Sequence, residues 1–351
     1  MPRPGLPDLL KALVITPGYV PALHFDIMQT FSRLTREGWL EYEVILPYYV
    51  DNTTIADSDI IIFYRSAEPC NLRWLTLAEK LGKAIIYVMD EDFFAIPSGT
   101  PTGDHYNHPD IRQTIIQMLL HSHLIKVSSP ELAELAFRYR DEVALLHGSV
   151  DFSLFVDLPQ RQTDPSQVVV GYAGTVTHQA DVDTILPALR WVVGEYPDRV
   201  QLEFMGCPPP EELTDRPNVS HTPWINDYAL FLKEFWRRRW DIGLAPLIDN
   251  TFNQSKTEVK FREYGACGIP AVYSALPCYL RSVQDRVTGL LVPGDPDHWY
   301  VALNTLIEDA DLRRKMGEKA RAQVKEHYSI EKATQGWMDI LIRARSLASN
   351  S

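Results

Sequence analysis

Short apolar runs and helical stretches alternate along the first 146 residues. Residues 13–16 (LVIT) read as a short buried strand closed by Pro17 and Gly18, and residues 25–37 carry helical periodicity. The runs at 42–46, 60–64 (IIIFY), 84–89 (AIIYVM), 124–128 and 143–146 read as further strands, with helices over 72–81 and 111–121 between them. Ser129, Pro130 and Glu131 open another helix, because a first-turn proline gives up an N–H that has no helical partner anyway. Alternation of this kind predicts a parallel sheet covered by helices on both faces.

Between 147 and 166 the pattern breaks into HGSVDFSLFVDLPQRQTDPS, polar and turn-rich without a period, which predicts a domain boundary. The alternation then restarts, with strands over 168–172, 200–205, 241–247 and 289–292 and helices over 181–195, 229–236, 298–308 and 311–327. A last amphipathic stretch covers 330–346. The fold class is therefore α/β, with two doubly wound parallel-sheet domains, 1–150 and 151–330. A C-terminal helix at about 330–351 can pack back onto the first. In such sheets ligands bind outside the carboxyl ends of the strands, and a tandem pair is expected to face those ends across a cleft.

The stretch 241–274, DIGLAPLIDNTFNQSKTEVKFREYGACGIPAVYS, organises the second half. It reads as a strand, an Asn-rich turn, a short helix starting just after Asn253 and Ser255, and a second strand after Gly268-Ile-Pro270. The helix carries Lys256, Lys260 and Glu263 at spacings of four and three, which put all three on one face. First-turn N–H groups, the positive end of the helix dipole and two ammonium groups suit a diphosphate, and a carboxylate one turn deeper suits a pair of ribose hydroxyls. The same spacing also describes an ordinary solvated helix face with Lys–Glu pairs.

Composition narrows the classes. With 45% apolar and 23% charged residues and no apolar run near a membrane span, the chain reads as soluble and globular. A net charge of −12 argues against non-specific nucleic-acid binding and leaves at most a peripheral membrane contact, with a local basic patch at Arg237, Arg238 and Arg239. Cys70, Cys207, Cys267 and Cys278 show neither metal-ligand nor disulfide spacing. The first 18 residues lack the apolar core of a signal peptide, so a cytoplasmic location is expected.

With the stretch Glu263-Tyr-Gly-Ala-Cys-Gly268-Ile-Pro270-Ala-Val, the strand and turn at Val287-Thr-Gly289-Leu-Leu-Val292-Pro, and the linker His147-Gly-Ser-Val150-Asp151-Phe-Ser-Leu-Phe155, the chain resembles the GT-B retaining glycosyltransferases of family four. The match covers the second half in order and spacing, and the first half in architecture. The Asn253-x-x-Lys256-x-x-x-Lys260-x-x-Glu263 arrangement resembles transferases of bacterial surface polysaccharides. What the resemblance implies is metal-independent, retaining transfer of a sugar from a nucleotide-diphosphate co-substrate to a saccharide or other acceptor hydroxyl, with no further cofactor. Lys256 and Lys260 would stabilise the leaving diphosphate, Glu263 would hold the ribose, and closure about the linker would exclude water.

The resemblance also implies where other groups sit. Gly174, Thr175 and His178 form the loop facing the donor phosphates, Trp224 and Ile225 lie where the base is held, and Glu258 and Val259 belong to the donor helix. Gly18, in the first loop, lets donor and acceptor meet. Four positions depart from the family pattern. Ser255 replaces a sugar-contacting glutamate, Thr175 and Ala180 fall near positions of an Arg and a Lys, and Asp90 stands where a His is common. Asp90 is then expected to polarise the acceptor hydroxyl with Asp92 in support. Asp90-Glu91-Asp92 could otherwise hold a divalent metal or cap a turn, and Arg65 is a further acceptor contact. Two other classes remain open at this point: a nucleotide-sugar epimerase of the same architecture, and a non-catalytic subunit that binds nucleotide sugar.

Overall fold

The computed structural model describes residues 9–350 apart from Thr163 and Pro165. The reading of the N-terminus as free of a signal peptide falls in part on residues 1–8, outside the described residues. No helix among the described residues is long and apolar enough to cross a membrane. The chain divides into two compact units: the described residues through Ser149 with Ser255–Thr257 and the segment from Ile330, and Val150–Gln254 with Glu258–Ser329.

The first unit holds six parallel strands, β1 (Leu10–Ile15), β2 (Leu40–Ile45), β3 (Ile60–Tyr64), β4 (Ala84–Met89), β5 (Leu124–Val127) and β6 (Val143–Leu145). Their order is β2-β1-β3-β4-β5-β6. Every residue of β3 and β4 is buried, which is why they read as unbroken apolar runs. Winding reverses between β1 and β3, so the loops after those strands flank one crevice at the carboxyl edge. The helix expected at 25–37 begins earlier, at Pro21, and passes through a π-helical turn at His24–Met28 before Gln29–Arg36.

That turn carries Asp26, buried against Lys126 on β5, whose side chain is wholly enclosed. The C-terminal helix, Ile330–Ser349, covers the pair. Its Trp337 donates from Nε1 to the Asp26 carbonyl at 2.6 Å, lies 5.8 Å from the Lys126 ammonium and meets Phe31 edge-on. The helix thus belongs to the first unit's core.

The second unit holds β7 (Val168–Gly174), β8 (Val200–Gly206), β9 (Val219–Thr222), β10 (Ile242–Ala245), β11 (Ala271–Ser274) and β12 (Leu290–Val292), ordered β12-β11-β10-β7-β8-β9. This is the dinucleotide-fold order, with the reversal between β7 and β10. Those strands pair through Ile242 with Val170 and Gly243 with Gly171. A Cβ at Gly171 would meet the Trp240 ring at 1.9 Å, and one at Gly243 the Tyr264 ring at 2.9 Å, so both aromatic plates lie flat against the strands. The Tyr264 hydroxyl then donates to the Leu244 carbonyl at 2.7 Å.

Two readings differ from the structure. The helix expected over 181–195 is split into Gln179–Asp183 and Leu186–Glu195, because Pro187 cannot continue the first helix but suits the first turn of the second. Strand β9 escaped detection: VSHT at a sheet edge, exposed or half-buried throughout, has no apolar run to reveal it.

Replacing Lys126 by Met takes the ion-pair partner from the buried Asp26 carboxylate and is expected to cost about 3–5 kcal/mol. Replacing both, Lys126→Met with Asp26→Leu, should recover most of that. Chemical denaturation measures both, and a single variant as stable as the parent would remove the pair from the account of the core.

Candidate functional site

In the second unit the reversal of winding places two loops side by side at the carboxyl ends of β7 and β10. After β7 the chain runs through Gly174 and Thr175 into a short turn at Val176–His178. The hydroxyls of Thr175 and Thr177 lie 2.6 Å apart. His178 places Nδ1 2.7 Å from Oδ2 of Asp181, which is 6% exposed. The other Asp181 oxygen accepts from the backbone N–H of Ile248 at 2.8 Å and from Asn253 Nδ2 at 3.3 Å. One buried carboxylate therefore fixes both loops. Sequence reasoning missed Asp181, although its place three residues after His178 at a helix start was a usable signal.

The helix after β10 corrects an expectation. It spans Val259–Ala266, with Glu258 as its cap residue in a non-helical conformation (φ −75°, ψ 42°). A four-residue helix, Thr251–Gln254, precedes it, and residues 255–258 are not helical. Spacing of four puts residues on one face only along a continuous helix, so Lys256 does not share a face with Lys260 and Glu263. Ser255–Thr257 cluster instead with the first unit, where the Ser255 carbonyl accepts from the Ser129 hydroxyl at 2.6 Å.

Lys260 and Glu263 are on the helix as expected. Lys260 donates to the Ala173 carbonyl at the end of β7, with its ammonium 4.8 Å from the centre of the Tyr172 ring. Glu263 is 7% exposed and accepts from the Tyr228 hydroxyl at 3.1 Å. Burial pushes its carboxyl above the ordinary range, while Lys260, the Tyr228 hydrogen bond and Arg262 pull the other way. Glu258 is buried beside Arg262, 3.4 Å away, so its side chain takes part in packing. Val259 is the first helical residue, and its N–H belongs to the turn that no carbonyl of the same helix can satisfy.

A further wall comes from the segment after β8. Gly206 has φ +86°, and a Cβ there would meet the Gly174 carbonyl at 2.3 Å and the Trp224 ring at 2.8 Å. Only glycine permits that approach. It brings Trp224, 39% exposed and stacked on Phe231, to the β7 edge, with Ile225 half-buried beside it.

The first unit carries the remaining candidates at its own reversal point. Gly18 follows β1, with its carbonyl accepting from the Thr16 hydroxyl at 2.8 Å. Arg65 follows β3 in the left-handed region (φ 51°), a conformation that costs a non-glycine residue on the order of 1–3 kcal/mol and concentrates at functional sites. Its guanidinium bridges Asp90 (2.6 Å) and Glu91 (2.5 Å), and the Tyr64 hydroxyl donates to the second Asp90 oxygen at 3.0 Å. Asp90 is thus Arg65's anchor. Asp92 turns to its own loop and accepts from the Phe94 N–H at 3.0 Å. The two aspartates of the D-x-D therefore have separate partners. Among the described residues no group of three or more His, Cys, Asp or Glu side chains is arranged to hold a metal ion.

Comparison with known proteins agrees with this architecture. Residues 167–309 match the family described as glycosyl transferases group 1. A D-inositol 3-phosphate glycosyltransferase of Salinispora arenicola is 29% identical over 104 residues, which are 29% of this chain and about a fifth (22%) of that relative's length. Among solved structures, sucrose-phosphate synthase from Thermosynechococcus elongatus aligns with a TM-score of 0.73 at 14% identity, covering 97% of this chain and 100% of that one. The Anabaena HepE structure in complex with UDP aligns with a TM-score of 0.67 at 14% identity, covering 95% and 99%. The chain has the GT-B fold, and residues 167–309, within the unit that carries the β7–β10 loops, are similar to the glycosyl transferases group 1.

Proposed function

We propose that this protein is a retaining glycosyltransferase that moves a sugar from a nucleotide-diphosphate sugar to an acceptor hydroxyl in the synthesis of a glycan or glycoconjugate. The observation that carries this reading is the convergence of the Gly174–His178 loop, Lys260 and Glu263 at the reversal between β7 and β10, all within the region matched to the group 1 family. The donor diphosphate would lie against the loop amides and the first turn of the Val259–Ala266 helix. Lys260, already at the Ala173 carbonyl, stabilises the negative charge that builds up as the sugar–phosphate bond breaks. Glu263 accepts from the ribose hydroxyls, and Trp224 and Ile225 flank the base. No metal takes part in this scheme.

The first unit, 1–150, would present the acceptor, with Gly18 leaving room for it and the Tyr64–Arg65–Asp90 cluster contacting its hydroxyl. Lys256 is a secondary phosphate contact in this reading, and Ser255 supplies no carboxylate to the sugar. The structural neighbour bound to UDP makes UDP sugars the first donors to test.

Lys260→Ala is expected to weaken donor binding and lower kcat/KM roughly 100-fold in a transfer assay with excess chelator, which should leave the parent rate unchanged. Unaltered kinetics in that variant would remove Lys260 from the mechanism, and a rate abolished by chelator would remove the metal-free scheme. Labelled donor incubated without acceptor should stay intact. Its conversion to an isomeric nucleotide sugar would mean an epimerase, and binding without turnover under any acceptor a non-catalytic subunit.

Glu263 also has a stability cost. Its carboxyl titrates higher in the fold than in the unfolded chain, so the ionised form opposes folding at pH values above both. Below the ordinary value of 4.5 the carboxyl is protonated in both states and the penalty disappears. Glu263→Gln should therefore melt higher than the parent at neutral pH, lose that advantage as pH falls toward 4.5, and bind donor more weakly throughout. A variant that melts lower at neutral pH would reverse the sign of this account.

A further inference from the structure

The loop after β7 is poor in fixed positive charge, with Thr175 at its start and Ala180 in the helix that follows. His178 is the one titratable group of that turn, and about a quarter of its side chain is exposed. Its ring is not left to rotate: Asp181 takes Nδ1 at 2.7 Å, and Asp181 is itself fixed by Ile248 and Asn253 from the loop after β10. The other ionisable groups around this corner come from four elements. Asp183 lies on the same short helix, and Asp249 is held by Gln254 on the β10 loop. Lys260 reaches the end of β7 from its helix, and Cys207 packs after β8 with its thiol pushed up to about 11 by burial. Lys260 is the lysine of this set.

We propose that His178, oriented by Asp181, is the titrating cation of the donor site: as an imidazolium it binds the diphosphate of a nucleotide sugar, and deprotonation weakens that binding. The proposal rests on the donor-site reading above. A carboxylate on Nδ1 favours the cationic ring, in which both nitrogens donate. In the neutral ring with Nδ1–H kept on Asp181, Nε2 becomes an acceptor and repels phosphate oxygens. Asp181 is a positioning residue in this scheme, since it acts through the imidazole. Donor affinity should then fall as pH rises through the histidine range, about pH 6 to 8. A nucleotide sugar is a diphosphate diester, with no phosphate proton to lose in that window, so such a change belongs to the protein.

The test is titration calorimetry of UDP-glucose, GDP-glucose, ADP-glucose and dTDP-glucose across that window, with the parent, His178→Gln, His178→Lys and Asp181→Asn. For the donor that binds, the parent should lose about tenfold in affinity from the acid to the alkaline end, the loss of one ion-pair interaction of ~1.4 kcal/mol. His178→Gln should bind at the parent's alkaline affinity at every pH, and His178→Lys near its acid affinity at every pH. Asp181→Asn should move the transition to lower pH, which loosened packing alone would not do. A parent affinity independent of pH, or a His178→Gln profile that tracks the parent, overturns the assignment. No binding of any donor by a protein that melts normally overturns the donor-site reading and this inference with it.

Discussion

The close approach of β7 and β10 is the constraint from which the second unit follows. Two glycines face each other in the register, and Trp240 and Tyr264 press their rings onto the bare backbone. The Tyr264 hydroxyl bonds to β10 and sits 3.5 Å from the Ala173 N–H of β7, so one phenol spans the seam. Because winding reverses at this seam, the helices after β7 and β10 leave on opposite faces, and their loops are left next to each other at the carboxyl edge. The seam's fixed position is what allows side chains far apart in sequence, such as Asp181 and Asn253, to meet at hydrogen-bond distance.

Buried charge is used differently in the two units. In the first, Lys126 and Asp26 form a pair beneath Trp337 that holds a π-helical turn in place. In the second, Glu203 is fully engaged: Arg161 at 2.6 Å, Trp240 Nε1 at 2.7 Å and Arg238 at 3.3 Å surround it. Arg161 comes from the connecting segment after β6. That segment is further fixed by Phe155 stacked on Trp236 and by Trp236 Nε1 donating to the Leu158 carbonyl. The connection is thus packed onto the second unit from Val150 to Arg161 and is no loose tether, even though its composition is that of a turn-rich linker.

Much of the architecture was legible because parallel strands buried on both faces write themselves as apolar runs, as β3 and β4 do. The helix Val259–Ala266 was legible through Glu263 and the Gly-Ile-Pro turn. The place of Lys256 on the helix face was misread because helical spacing assumes an unbroken helix, and nothing local announced the non-helical stretch before Val259. Arg65 was barely legible, since its left-handed backbone and its double ion pair depend on two carboxylates 25 and 26 residues further on. Asp181 was not legible as a tie between loops, because its partner Ile248 lies 67 residues away and contributes only a backbone N–H. The general limit is that a sequence displays periodicity but not which backbone groups a fold leaves to be satisfied by a distant side chain.

The helix Ile330–Ser349 bears on how the protein is made. Its Trp337 caps the Asp26 turn and completes the core around β1, β3 and β4, so the first unit cannot close while residues 330–349 are still being synthesised. The second unit, by contrast, has all its strands by Val292 and its last helix by His327. On the ribosome the order of completion is therefore inverted relative to the order of synthesis, and the first unit must wait, its strands unsealed, for a helix that emerges only after the second unit.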